Sequence, residues 1–345
     1  FSYQSVTNDN YLKIHNLSKS SPLINDESVL TSKITYSKSI NKNTSFSSDF
    51  VVYEDLSKRN NDRFQYILPN FTFTKNLELD KNYNGSFQFK SSGYQKNYDT
   101  NKYESLLIND FLFQSYDYIN KKGLKTNYDF LIKNFNSYTE NSTSYKNKED
   151  YEVFGAFLVK TFLPLKRFDE GGSEYLKPIA SFRYSPNNTK NISNKDLRLS
   201  YDNIFALNRI GTNEIVEGGK SLSLGVEYEN RNKHNVKLFS LSLASSISDR
   251  ANDNLPSKTK LNEERSDVVG NLSFSPNKVL NFDYSFSYDN NLKNSNYDSI
   301  STSINYGVIS TSFNFLSSGD VIGNEEIISN SSTLKLDEEK SFKFN

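Results

Sequence analysis

Apolar and polar positions alternate along this chain with a period of two. In Leu280-Asn281-Phe282-Asp283-Tyr284-Ser285-Phe286-Ser287-Tyr288-Asp289 every even position is large and apolar or aromatic, and every odd one is small, polar or charged. Successive strand side chains point to opposite faces, so the window predicts a strand with one apolar and one wet face. Leu124, Thr126, Tyr128, Phe130 and Ile132 repeat the pattern against Lys125, Asn127, Asp129 and Lys133, with Leu131 breaking it. Leu222, Leu224, Val226 and Tyr228 repeat it against Ser221, Ser223, Gly225, Glu227 and Glu229. Weaker versions run over 64–73, 176–184, 239–243 and 300–306. No window convincingly spaces its apolar residues three and four apart, as a helix requires. The pattern predicts roughly fourteen to seventeen strands separated by polar turns.

The connections differ in length. Asn84-Gly85 is a hairpin dipeptide and 290–296 is short, whereas 134–150, 206–220 and 248–267 read as long, charged loops. Short turns alternating with long polar loops are the mark of an up-and-down transmembrane barrel. A soluble sandwich also alternates, so alternation alone leaves both open. Two details favour lipid. The polar face carries Lys, Asp, Glu and Asn together, as a wet lumen would, and Tyr128, Tyr184, Tyr228 and Tyr288 suggest an aromatic girdle. The expectation is therefore all-β: one antiparallel transmembrane β-barrel domain over 1–345, of outer-membrane type. Its lumen-facing residues would be Lys125, Asn127, Asp129, Lys133, Arg183, Glu227 and Asp283. Its lipid-facing residues would be Tyr128, Phe130, Leu222, Leu224, Phe282, Tyr284 and Phe286.

Composition narrows the chemistry. The 345 residues hold 41 Lys+Arg against 41 Asp+Glu, no Cys, no Met and no Trp, but 26 Phe, 23 Tyr, 46 Asn and 51 Ser. Zero Cys excludes disulfides and thiolate sites, and balanced charge removes the electrostatic drive of a nucleic-acid binder. Absent Met points to a processed or excised stretch. A mean hydropathy of −0.69 fits a wall with half of each strand wet, and the aromatic content argues against disorder. No apolar run approaches the eighteen residues of a transmembrane helix. His15 and His234 are the only histidines, and His234 sits in a polar, turn-like run. No nucleophile elbow, phosphate loop, dinucleotide fingerprint or zinc-protease motif occurs. The acidic pairs Glu263-Glu264 and Glu325-Glu326 and the run Asp337-Glu338-Glu339 lack calcium-loop spacing and read as solvated charge. No enzyme, metal or cofactor is expected.

Three stretches add a family resemblance. Tyr201-Asp202-Asn203-Ile204-Phe205-Ala206-Leu207-Asn208-Arg209-Ile210-Gly211-Thr212-Asn213-Glu214-Ile215-Val216-Glu217-Gly218-Gly219 resembles a loop of the lipopolysaccharide-assembly outer-membrane family LptD. Pro178 through Asn187 resembles the family's preceding strand and turn. Ser248-Asp249-Arg250, Asn254-Leu255-Pro256-Ser257 and Ser266-Asp267-Val268-Val269-Gly270 resemble its next loop and strand. Within the loop, Asn208, Arg209, Gly211, Glu217, Gly218 and Gly219 read as structural: glycines for tight turns, and Arg209 pairing with Glu214 or Glu217.

The resemblance implies a large barrel in the outer membrane of a Gram-negative bacterium. It implies insertion of lipopolysaccharide into the outer leaflet through a hydrophilic lumen and a lateral gate. The implied partners are lipopolysaccharide, the plug lipoprotein LptE, the periplasmic bridge protein LptA and outer-membrane lipid. The family's N-terminal jelly-roll is not recognisable in the sequence, so the chain is expected to be an incomplete barrel portion. A porin, a TonB-dependent receptor and a soluble surface adhesin stand as alternatives.

Overall fold

Each alternating window of the sequence lies within a strand, and the strands pair with their neighbours along the chain. The computed structural model describes residues 1–16, 26–78, 84–99, 101–319, 325–335 and 341–344. Eighteen strands belong to one antiparallel sheet, and the described residues contain only one four-residue α-helix. They divide into two compact units, Phe1–Gln114 with Leu131–Phe154, and Ser115–Phe130 with Gly155–Asn345.

The first unit holds α1 (Tyr11–Ile14), β1 (Val29–Asn41), β2 (Thr44–Asp55), β3 (Phe64–Glu78), β4 (Gly85–Tyr98) and β5 (Lys102–Ser115). It shares β7 (Lys125–Glu140) and β8 (Lys148–Phe162) with the second, which also holds β6 (Tyr118–Ile119). Within the first sixty residues, Val29–Asn41 and Thr44–Asp55 pair as the β1–β2 hairpin. Leu12, Leu30 and Leu56 bury together, and Arg63 ties Asp9 to Glu54 at 2.7 Å each. On one face of β3–β5, Phe89 meets Phe73 and Phe111 at 6.2 and 4.9 Å between ring centres.

The sequence expectation of a loop over 134–150 is corrected here. β7 runs to Glu140 and β8 starts at Lys148, leaving 141–147 as the connection. The strand is hidden because Asn134 and Asn136 replace apolar residues at the even positions of β7. Asn109 of β5 donates to Asn134 at 3.1 Å across the strands, and Asn136 donates to Asn134 at 2.7 Å along β7, so side-chain amide bonds substitute for apolar packing.

The second unit continues with β9 (Leu165–Asp169), β10 (Gly172–Ser185), β11 (Gly219–Asn232), β12 (Lys237–Ser248), β13 (Val268–Phe274) and β14 (Leu280–Tyr288). It ends with β15 (Ser295–Tyr306), β16 (Ile309–Ser318), β17 (Glu325–Lys335) and β18 (Ser341–Phe344). Pro178, mid-strand in β10, faces the break between β8 and β9, where Leu163 donates to its carbonyl at 3.2 Å. A residue without an N–H is tolerated there because no partner strand asks for one. Among the described residues no pairing joins β1 to β18, and the sheet is not closed.

Register sorts the two faces of β10–β17. Leu176, Tyr228, Leu241, Leu272, Tyr284, Ile300, Phe315 and Ile328 oppose one another in turn across eight strands. One residue away on each strand the row reads Tyr175, Glu229, Ser240, Ser273, Asp283, Ser301, Asn314 and Ser329. An unbroken apolar row beside a polar one is what period-two patterning yields when every strand keeps register. Short turns close one end of these hairpins with side-chain bonds: Asp169 accepts from the N–H of Gly171 and Gly172, and Asn277 accepts from Val279 and Leu280.

Candidate functional site

At the other end of β10–β13 the connections are long, and they fold back onto the strands. The segment 186–218 joins β10 to β11, longer than the 206–220 expected from sequence, and 249–267 joins β12 to β13. Ile192, Leu199, Ile204, Ile210 and Ile215 of the first loop bury with Leu255 and Leu261 of the second, against Ala244 and Val269 of the strands. Ala244 and Val269 belong to the polar face, so the loops pack on the side where the strands are wet.

Small residues on that face make room. The Ser223 hydroxyl donates to the Ile204 carbonyl at 3.2 Å, and Phe205 lies over Gly225, where a Cβ would fall 2.7 Å from the ring. Tyr201 donates to Glu227 at 2.8 Å, and Asn271 to Asp202 at 3.3 Å. From Ser223 to Glu227 the loop thus follows the strand for about 14 Å, at ~3.4 Å per residue. Burial and the neighbouring Glu227 carboxylate push the Tyr201 phenol well above its ordinary value, so it stays a donor.

A buried charge cluster clasps the loop. Arg209 grips Glu217 through two bonds of 2.7 and 2.5 Å and donates to Ser246 at 2.6 Å; Arg209 and Glu217 are 1% and 3% exposed. Arg183, projecting from β10, donates to the carbonyls of Leu207, at 2.8 Å, and of Glu217. Burial alone would raise the Glu217 carboxyl, but the two guanidiniums outweigh it and hold it below the usual carboxylate range. At the far end Asp267 is fully buried, accepting from Ser287 at 2.8 Å and Asn296 at 2.6 Å, with its second oxygen unpartnered. Burial pushes its pKa up.

The family-like loop residues converge here. Of the two pairings open in sequence, Arg209 takes Glu217. Asn208 donates to the Thr212 carbonyl at 2.8 Å, bracketing Gly211, whose φ is +68°. Gly218 passes 1.9 Å, measured from an imagined Cβ, from the Asn187 carbonyl, so only glycine fits. Gly219, with φ +95°, turns the chain into β11.

The other sequence-predicted residues scatter over the sheet. Lys125 pairs with Asp117 at 3.7 Å, and Asn127 donates to the same carboxylate at 2.8 Å; Asp129 follows on their face of β7. Lys133 is 2% exposed and bonded to Asp110 at 2.5 Å. A cation is stable there because its carboxylate partner is adjacent. Glu227 pairs with Lys177 at 2.5 Å, and Asp283 accepts from Asn281. On the opposite face Tyr128, Phe130, Leu222 and Leu224 are exposed, while Phe282, Tyr284 and Phe286 are half-buried, the last over Gly270. Asp298 interrupts this face, its carboxylate taken by Tyr284 and Ser295 at 2.5 Å each.

His234 lies in the β11–β12 turn, with its N–H bonded to the Asn232 side chain at 2.9 Å. Among the described residues no three His, Asp or Glu converge as metal ligands; Asp337, Glu338 and Glu339 lie outside the described residues. Missed in the sequence were Ser246, Tyr201 and the Phe205–Gly225 contact. Only the unexplained Gly225 in a strand hinted at a close approach.

Arg209→Ala should strip buried Glu217 of its two-bond partner, leaving only the more distant Arg183 at 3.9 Å, and cost about 3–5 kcal/mol. The expected result is proteolysis within 186–218 while the strands stay resistant, read by limited proteolysis in micelles. The lowered Glu217 pKa makes its contribution complete above the unfolded value of about 4.3 and lost as pH falls through the lower folded value. Loop protection should therefore persist at neutral pH and fail only in acid below that range. Asp267 acts oppositely, its cost relieved as pH falls through its raised pKa, so Asp267→Asn should not weaken protection at pH 7.

Among curated proteins none matches this chain. Among solved structures, it is similar to the alcaligin outer-membrane receptor FauA of Bordetella pertussis, at 10% identity over 90% of this chain and 64% of that one, with a TM-score of 0.38. It is similar to the siderophore receptor PirA of Pseudomonas aeruginosa at 12% identity over 90% and 65%, with a TM-score of 0.42. The chain thus spans less than two thirds of the length of either receptor. The model of one family, LptD, described as LPS transport system D, matches residues 1–334. With essentially its whole length matched, and an all-antiparallel sheet beneath the match, this chain belongs to the LptD family of the Gram-negative outer membrane.

Proposed function

We propose that this chain forms the wall of a translocon that inserts lipopolysaccharide into the outer leaflet, working by transport without covalent chemistry. The observation that carries the reading is the family match over residues 1–334, on a sheet with one continuous apolar row and one polar face. Residues 1–345 act as one barrel domain. Its apolar face, with Tyr128, Phe130, Leu222, Leu224, Phe282, Tyr284 and Phe286, contacts acyl chains. Its polar face, with Lys125, Asn127, Asp129, Arg183, Glu227 and Asp283, lines the wet interior that passes sugar and phosphate groups. Lys133 serves that face as a buried strut. The loops 186–218 and 249–267 narrow the interior, so a gate between strands offers the path sideways. Lipopolysaccharide, a plug lipoprotein of the LptE kind and a periplasmic bridge of the LptA kind are the partners of this reading.

Two measurements test it. Leu272→Arg, in the apolar row, should cost roughly 2–4 kcal/mol in a bilayer, and Ser273→Arg, one residue away, little. Unfolding titrations in vesicles read the difference, and equal sensitivity would sink the face assignment. Depleting the protein should strip newly made lipopolysaccharide from the cell surface. Normal lipopolysaccharide with lost uptake of a solute would instead make the chain a porin or receptor.

A further inference from the structure

The loop pack holds a guanidinium that its own structure does not use. Arg198, in the 186–218 loop, lies flat on the ring of Tyr297, its central carbon 3.8 Å from the ring centre. Its Nη1 is shielded from solvent and has no hydrogen-bond partner, and among the described residues its guanidinium enters no ion pair. A shielded charged donor left without an acceptor is costly, and the buried Arg183 and Arg209 of this unit leave no such gap, whereas Arg198 is half-buried. The Arg198 side chain opens onto a cavity of about 430 Å³ that Lys258 and Lys260 also line, with Glu263 as the one carboxylate. That volume lies within the ~300–1,000 Å³ of small-ligand sites.

The walls of the cavity are fixed. Leu199, next to Arg198, is fully buried and donates its N–H to the Thr259 hydroxyl at 2.8 Å. Thr259 and Lys260 both take left-handed backbone conformations, with φ of +55° and +50°, an expense the chain meets to turn this corner. Lys258 is braced by Asp196 at 2.6 Å, and Asn296 by Asp267. Preorganised cations on rigid supports bind anions without an ordering cost.

We propose that Arg198, Lys260 and Lys258, with Tyr297 behind the guanidinium, form a binding site for a phosphate group. Three cations against two carboxylates, Glu263 and the Asp196 that pairs with Lys258, leave a net positive charge suited to an anion, and a guanidinium is a strong donor to phosphate oxygens. The phosphate comes either from a glycolipid headgroup or free from solution. The site goes beyond the transport reading and survives its failure, because binding needs no transport.

The test uses the full chain folded in detergent micelles, with three probes: inorganic phosphate, a phosphorylated glycolipid and the same glycolipid dephosphorylated. The phosphorylated glycolipid should bind at least ten-fold more tightly than its dephosphorylated form, and Arg198→Gln should abolish that difference. Lys260→Gln should weaken it several-fold, and Lys233→Gln, in the β11–β12 turn, should leave it unchanged. If inorganic phosphate binds with the same dependence on Arg198, free phosphate is the ligand; if it does not compete, the headgroup is. Should Arg198→Gln lose its folded gel mobility, Lys260→Gln carries the test. Wild-type binding by both variants, or equal binding of the two glycolipids, overturns the proposal.

Discussion

A β-strand has two faces and no means of satisfying its own backbone, and these two facts govern this protein. Each strand of β10–β17 is paired with its neighbour, and the register holds across the whole row from Leu176 to Ile328. One face is thereby free to be apolar along a whole row, from Leu176 to Ile328, without exposing an unpaired N–H to a dry surround. The other face is free to be Ser, Asn, Asp and Glu. A slip of one residue in any hairpin would place a polar run in the apolar row, so register and the two-faced wall are one constraint seen twice.

That constraint explains what the sequence made legible. The strands of 280–288, 125–133 and 219–229 follow from alternation, because each has a face facing one medium throughout. The second half of β7 does not, because Asn109 bonds Asn134 and Asn136 bonds Asn134 in turn, a run of amides that hydropathy reads as loop. Alternation puts Lys133 on the same face of β7 as Lys125, Asn127 and Asp129. Parity gives a side chain's face, whereas burial depends on Asp110, which is distant in sequence. The Arg209 clasp was half legible: the residue types were evident, and the choice of Glu217 over Glu214 is set by where Gly218 and Gly219 turn the chain.

The abundance of asparagine also gains a physical reading. Asn120, Asn232 and Asn277 each accept two backbone N–H groups in a turn, and Asp169 and Asp289 do the same. A meander of this length needs many turns, and short polar side chains that bond their own backbone supply them without relying on glycine.

The same logic accounts for the polar face beneath the loops. A loop folded against a sheet loses the water that would hydrate its carbonyls, and it has no ladder to replace it. Here side chains take that part. Ser223 serves the Ile204 carbonyl, Arg183 those of Leu207 and Glu217, Asn203 that of Arg198, and Asn254 that of Thr189. An all-apolar contact would bury Ile204, Ile210 and Ile215 equally well and leave these carbonyls unmet. Replacing a buried ion pair by hydrocarbon is often neutral when the pair binds only itself. Arg183 and Arg209 also hold the backbone and Ser246, so their charge is tied to the path of the loop. The polar face is therefore a scaffold for its own loops before it is a lining for anything that passes.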